Sequence, residues 1–186
     1  RGLQDKKKIL YVGMFGKNRG LEELILALKM LKEAKHNVLL VLAGAPSLAK
    51  GQDFLSKLNS KITENSFREN VVFVGWIDDA DMYALCSITD CFVLLYKLVM
   101  SASSKLSIIT TYLPKMSIIC TDHPILREQL NRHERVHFVP LNFSSSDLAK
   151  ALVETLNSPE QTVSRNEEIL PAPLRETESK LWLLDL

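Results

Sequence analysis

Six short apolar runs punctuate this chain, and between them apolar residues recur at the spacing of one helix face. The clearest is VLLVLA at 38–43, closed by Gly44; VVFV at 71–74 is closed by Gly75. A run that is apolar at every position, rather than at every second one, belongs to a strand covered on both faces. That condition is met by a parallel sheet with helices on either side. Strands are therefore expected at 9–13, 38–43, 71–74, 91–95, 117–120 and 136–139. Leu21, Leu24, Ile25, Leu28 and Leu31 mark the first helix, and further helices are expected near 54–62, 79–86, 105–112, 125–131 and 148–156. The expected fold is α/β: a doubly wound, parallel, six-stranded Rossmann-like sheet.

At 186 residues the chain is long enough for one sizeable core and too short for two full domains. Lysine and arginine (23) nearly cancel aspartate and glutamate (22), so no long-range field draws the chain to nucleic acid, and any phosphate must be held locally. Cys86, Cys91 and Cys120 lie in or beside apolar segments without metal-ligand spacing, which reads as reduced core cysteines in a cytoplasmic protein. No apolar run reaches membrane-helix length, and the Lys6-Lys7-Lys8 run leads into a strand-length segment unlike a signal peptide. The chain opens at Arg1, as a fragment of something longer would. Residues 1–158 form the expected domain, and 159–186, with Pro159, Pro171 and Pro173, read as a linker before a short helix anchored by Leu181, Trp182 and Leu184.

In an open parallel sheet, ligands bind beyond the carboxyl ends of the strands, where helix N-termini offer unpaired N–H groups. After the first strand come Gly13, Gly16, Lys17, Arg19 and Gly20. They read either as an anion cradle or as a glycine-rich turn with solvated cations; the spacing fits neither the dinucleotide nor the P-loop fingerprint. After the fourth strand, Ser103, Ser104 and Lys105 could hold phosphate, or a serine could simply cap the next helix. Trp76 and Ile77 follow the third strand, where the tryptophan could line a base pocket or join the core. His36, His123, His133 and His137 share no ligand spacing and read as surface residues, while Asp78 and Asp79 suit a helix cap. No catalytic triad or metal site stands out.

The order of these segments resembles the C-terminal, nucleotide-sugar-binding half of a GT-B glycosyltransferase of the retaining family 4 type. The resemblance runs over about residues 6–158, through ILYVGMFGKNRGLEELILAL, NVLLVLAG, NVVFVGWIDDADMYALCSITDCFVLLY, MSIICTDHPILREQL and VHFVPLNFSSSDLAKALVETL. It implies a transferase whose donor is a nucleotide diphosphate sugar, UDP- or GDP-linked, without a tightly bound cofactor or metal. It also implies an N-terminal acceptor-binding domain elsewhere in the same longer chain, and a location in the cytoplasm, peripheral to the inner face of a membrane. The family's two diphosphate-neutralising cations fall on Met14 and Arg19, so one is kept and one lost, with Lys17 as a substitute. The two glutamates of its Glu-x7-Glu motif, the second of which binds ribose, fall on Ala102 and Thr110. Both carboxylates are absent. The resemblance thus implies glycosyl transfer to a glycan or lipid-linked acceptor. The degenerate motif keeps open a non-catalytic, protein-binding scaffold module.

Overall fold

The computed structural model describes residues 5–46, 51–99, 103, 106, 109–110 and 115–158. Ser104, Lys105, the Ala102 position and the expected linker and terminal helix over 159–186 lie outside the described residues.

The strands are β1 (Lys7–Val12), β2 (Val38–Ala43), β3 (Val71–Gly75), β4 (Cys91–Leu94), β5 (Ile118–Thr121) and β6 (Val136–Val139). The helices are α1 (Leu21–Glu33), α2 (Gly51–Glu64), α3 (Asp79–Ser87), α4 (Pro124–Gln129) and α5 (Ser145–Asn157). Leu106, Ile109 and Thr110 are helical as well, within the expected helix near 105–112. All strand pairs are parallel, in the order β3-β2-β1-β4-β5-β6. The chain winds from β1 outward to β3, returns to lay β4 against the other side of β1, and winds outward again to β6. Its winding sense reverses between β1 and β4, where Ile9 registers with Leu40 on one side and Cys91 on the other. The doubly wound six-stranded reading is the observed fold.

Alternation along each strand divides the core. Ile9, Tyr11, Leu40, Leu42 and Val93 face α1, α2 and α5, whose Leu24, Leu28, Leu58, Leu148 and Leu152 complete one layer. Leu10, Val12, Leu39, Val41, Phe92 and Leu94 face the other way, toward Met82, Leu85, Leu106, Ile109 and Leu126. Each such side chain, taken fully from water, contributes about 1.5–3 kcal/mol. The continuous apolar runs are thus explained by two covered faces. At the sheet edge the rule weakens: in β3, which has a strand on one side only, Val71 is buried, Val72 and Val74 are half-buried, and Phe73 keeps 38% of its surface. All three cysteines are buried free thiols, with burial pushing Cys91 up and Cys120 up to about 12.

The helix starts differ in a way that matters for ligands. Asp78 caps α3 by accepting the Asp81 N–H at 2.8 Å. His123 precedes Pro124 and its Nδ1 accepts the Ile125 N–H of α4 at 3.3 Å. Ser144 and Asp147 form a reciprocal capping box on α5. At α1 the cap residue is Gly20, which has no side chain to offer the first N–H groups.

Candidate functional site at the sheet reversal

The loop after β1 leans on both neighbouring loops. On the β2 side its contacts are made by backbone: the Gly13 N–H donates to the Ala43 carbonyl and the Phe15 N–H to the Ala45 carbonyl, both at 2.9 Å. The stitching continues outward, with the Gly44 N–H on the Gly75 carbonyl at 2.5 Å. Gly44 has φ +138, and a Cβ there would stand 1.9 Å from the Gly13 carbonyl oxygen. Gly20, at φ +62, similarly sits against the Phe143 ring and Leu95. Gly16 is the exception: its backbone is extended, at φ −176, and a Cβ would meet nothing within 4 Å. Neither conformation nor packing calls for glycine there: the side on which a Cβ would stand is open, while the Gly16 carbonyl accepts the Arg19 N–H at 3.1 Å.

On the β4 side one backbone hydrogen bond is joined by side-chain contacts. The Arg19 guanidinium lies over the Tyr96 ring, 4.6 Å from its centroid. The Lys97 N–H donates to the Asn18 carbonyl at 3.0 Å, and its ammonium pairs with Glu23 in the first turn of α1. Glu22, the neighbouring acid, is held below its ordinary value, chiefly by the hydrogen bond from Lys61 at 2.7 Å. Tyr11 braces the same loop by donating its hydroxyl to the Met14 carbonyl at 2.8 Å; burial raises its pKa well above the usual phenol range, so it stays a donor. Lys97 also lines a cleft of about 580 Å³ with Leu141, Asn142 and Phe143 of the loop after β6.

Of the residues singled out from sequence, Gly16, Lys17 and Arg19 thus share one loop, with Lys17 exposed and Arg19 partly so. Trp76 is 78% exposed at the end of β3, whereas Ile77 is 8% exposed and packs with Met82 and Leu85, leaving only its backbone for a ligand. Ser103 is 6% exposed, and its N–H is taken by Gln129 Oε1 at 2.7 Å. The Thr110 hydroxyl donates to the Leu106 carbonyl of its own helix at 2.9 Å. Lys97, Tyr96 and the 141–143 loop were not singled out, although Lys97 follows β4 by only a few residues, at the reversal point. Among the histidines, His133 Nε2 meets the Met116 carbonyl at 2.6 Å, and His137 lies 3.5 Å from Glu154. Among the described residues no group of three or more His, Cys, Asp or Glu is arranged to hold a metal, and no helix is long and apolar enough to cross a membrane.

Lys17, Arg19 and Lys97 thus stand around the loop that leads into α1, beside the extended backbone of Gly16 and with Glu22 and Glu23 in the helix's first turn. Over residues 2–169 the sequence matches the family model of the glycosyl transferases group 1. This chain belongs to that family. No curated protein matches it by sequence. Among solved structures it is similar to Anabaena HepE in complex with UDP, at TM-score 0.73 and 15% identity over 88% of this chain and 43% of that one. Sucrose-phosphate synthase from Thermosynechococcus elongatus matches at TM-score 0.71 and 20% identity, over 88% of this chain and 39% of that one. The C-terminal domain of the group 1 family protein LpcC from Francisella tularensis matches at TM-score 0.69 and 20% identity, over 83% and 77%. At these identities the likeness is one of fold. The chain spans under half the length of HepE.

Proposed function

We propose that this chain is the donor-binding half of a glycosyltransferase of the family 4 type. It binds a nucleotide diphosphate sugar, UDP- or GDP-linked, at the sheet reversal, for transfer of the sugar to a glycan or lipid-linked acceptor. The observation that carries the reading is the pairing of an uncapped α1 and bare Gly16 with Arg19 and Lys97, each held from the opposite loop. Gly16 and Lys17 lie against the diphosphate, while Arg19 and Lys97 offset its charge and that of the leaving group. Lys97 then takes up the role of the cation lost at Met14, a loss worth roughly 1–4 kcal/mol of ligand or transition-state stabilisation if unreplaced. Trp76 and the Ile77 backbone serve the base, Ser104 and Lys105 the phosphates, and Thr110 stands at the ribose position. Supporting the reading, HepE was solved with UDP and with UDP-glucose.

In this reading residues 1–158 make up the donor-binding unit. An N-terminal acceptor-binding domain in the same longer chain completes the cleft, working in the cytoplasm or on the inner face of a membrane. One observation favours a second reading, a non-catalytic scaffold. With Glu-x7-Glu degenerate, the Thr110 hydroxyl is spent on the Leu106 carbonyl. Thermal-shift titration with UDP, GDP, ADP and CMP, with and without Mg²⁺, separates the two. A ligand at a hundred times its dissociation constant adds about 2.7 kcal/mol of stability. A rise in Tm with one diphosphate supports donor binding and names the base; no rise with any favours the scaffold.

A further inference from the structure

Tyr96 stands shortly after β4, and hydrogen bonds fix the backbone around it. Its N–H donates to Oγ1 of the fully buried Thr121 at 2.8 Å, which carries the tie between β4 and β5 beyond their last ladder pair, Leu94 with Cys120. The N–H of the next residue, Lys97, donates to the Asn18 carbonyl at 3.0 Å. The half-buried Tyr96 packs against the core layer that holds Leu94 and Cys120. Over its ring lies the Arg19 guanidinium, 4.6 Å from the centroid.

Lys97 and Lys61 nearby are each paired with a carboxylate, Glu23 and Glu22. Among the described residues no carboxylate pairs with Arg19, and the Tyr96 ring is its partner. A ring engages the face of a guanidinium, whereas the N–H donors lie in the guanidinium plane and point outward. Stacking therefore orders the side chain and leaves its donors open. An unheld arginine loses rotamer freedom when it binds an anion, and one already ordered loses less.

We infer that Tyr96 is a positioning residue for donor binding: its ring holds the Arg19 guanidinium beside the start of α1, with the donors open to the phosphates of a nucleoside diphosphate. The inference rests on the donor-site reading above. Because Tyr96 acts through Arg19, its effect on affinity vanishes once the guanidinium is gone. Simple damage to the loop lacks that signature.

The experiment is calorimetric titration of the 186-residue chain with UDP and GDP, comparing the unsubstituted protein with Tyr96→Leu, Tyr96→Phe, Arg19→Ala, and Tyr96→Leu combined with Arg19→Ala. For the diphosphate that binds, Tyr96→Leu is expected to raise Kd about fivefold, equivalent to about 1 kcal/mol. Tyr96→Phe keeps the ring face and should stay within about twofold. In the Arg19→Ala background, Tyr96→Leu should change Kd by less than about twofold. An unchanged Kd in folded Tyr96→Leu, an equal loss in Tyr96→Phe, or the same loss with and without Arg19 would overturn the inference. If Tyr96→Leu does not fold, Tyr96→Met, which fills more of the volume without a ring face, takes its place under the same criteria. Arg19→Ala binding as tightly as the unsubstituted chain overturns this inference and leaves the donor site standing on its other residues. Failure of the unsubstituted chain to bind either diphosphate overturns the donor-site reading itself, and this inference with it.

Discussion

The loop after β1 has two flanks built from different materials. Toward β2 and β3 it is stitched by backbone hydrogen bonds through Gly13, Gly44 and Gly75, with Gly44 pressed against a carbonyl so closely that no side chain fits. Toward β4 a single backbone hydrogen bond, from the Lys97 N–H to the Asn18 carbonyl, is joined by Arg19 on Tyr96 and Lys97 on Glu23, contacts made by long, partly exposed side chains. A backbone stitch cannot be exchanged for a ligand without unravelling the loop. A surface ion pair can, because it contributes only about 0–1 kcal/mol in water. The difference separates a fixed wall from an adjustable one, and on the donor-site proposal stability belongs to the first and affinity to the second.

The largest effect tests the fixed wall. Gly44→Ala adds a Cβ 1.9 Å from the Gly13 carbonyl oxygen at a backbone angle alanine rarely adopts. Strain and overpacking together cost on the order of 3–5 kcal/mol. Urea denaturation should show that loss, and the Tm should fall by about 10 °C or more. A loss below about 1 kcal/mol would mean the two loops are not in contact.

Next in size is the adjustable wall. Arg19→Ala and Lys97→Ala are each expected to weaken nucleoside diphosphate binding about tenfold, or about 1.4 kcal/mol, by calorimetry. Folding stability should stay within about 0.5–1 kcal/mol, as for exposed charges. A variant that loses stability and keeps affinity would move its residue to the other wall.

Gly16→Ala sharpens the contrast between glycines. Its Cβ meets nothing in the free chain, so denaturation should be unchanged within about 0.5 kcal/mol. If the diphosphate lies on that backbone, affinity should still fall about threefold, equivalent to about 0.7 kcal/mol. Unchanged affinity would return the loop to the status of a plain turn.

The smallest effect is electrostatic. Glu22 is held below its ordinary value of 4.5, first by the Lys61 hydrogen bond. A depressed folded value means its contribution is complete above the unfolded value and is lost as pH falls through the folded one. Asp122, held low by the Arg127 fork at 2.5 and 2.8 Å, follows the same sign. Stability should therefore be flat from neutral pH down to about 5 and decline below the ordinary carboxylate range. Lys61→Met should remove the Glu22 share of that decline, a change of about 0.5 kcal/mol or less in denaturation curves across pH.

The sheet was legible because strand-length apolar runs and helical spacing are local signals. The runs at 38–43 and 136–139 coincide with β2 and β6, and the rest shift by only a residue or two. Asp78 as a helix cap was legible for the same reason. The run at 71–74 misled in part: its composition reads as covered on both faces, and only the sheet order shows that β3 lies at an edge with Phe73 exposed. Trp76 could not be decided from its neighbours, and it stands exposed. Least legible were contacts between distant loops. Nothing local tells Gly13 or Gly44, which must be glycine, from Gly16, which need not be. Lys97 reads as one lysine among many until Glu23 and Asn18 are beside it. Gln129 is likewise silent until Ser103 meets it, 26 residues away in sequence.

The most direct test of the account is a crystal structure of this chain with the nucleoside diphosphate that binds it. The account predicts the β-phosphate at the N-terminus of α1, against the Gly16–Lys17 backbone and within hydrogen-bond distance of Lys97 Nζ, with the Gly13–Gly44 crossing unmoved. A diphosphate seated elsewhere, with Gly16 still facing solvent and Lys97 engaged only by Glu23, would contradict it.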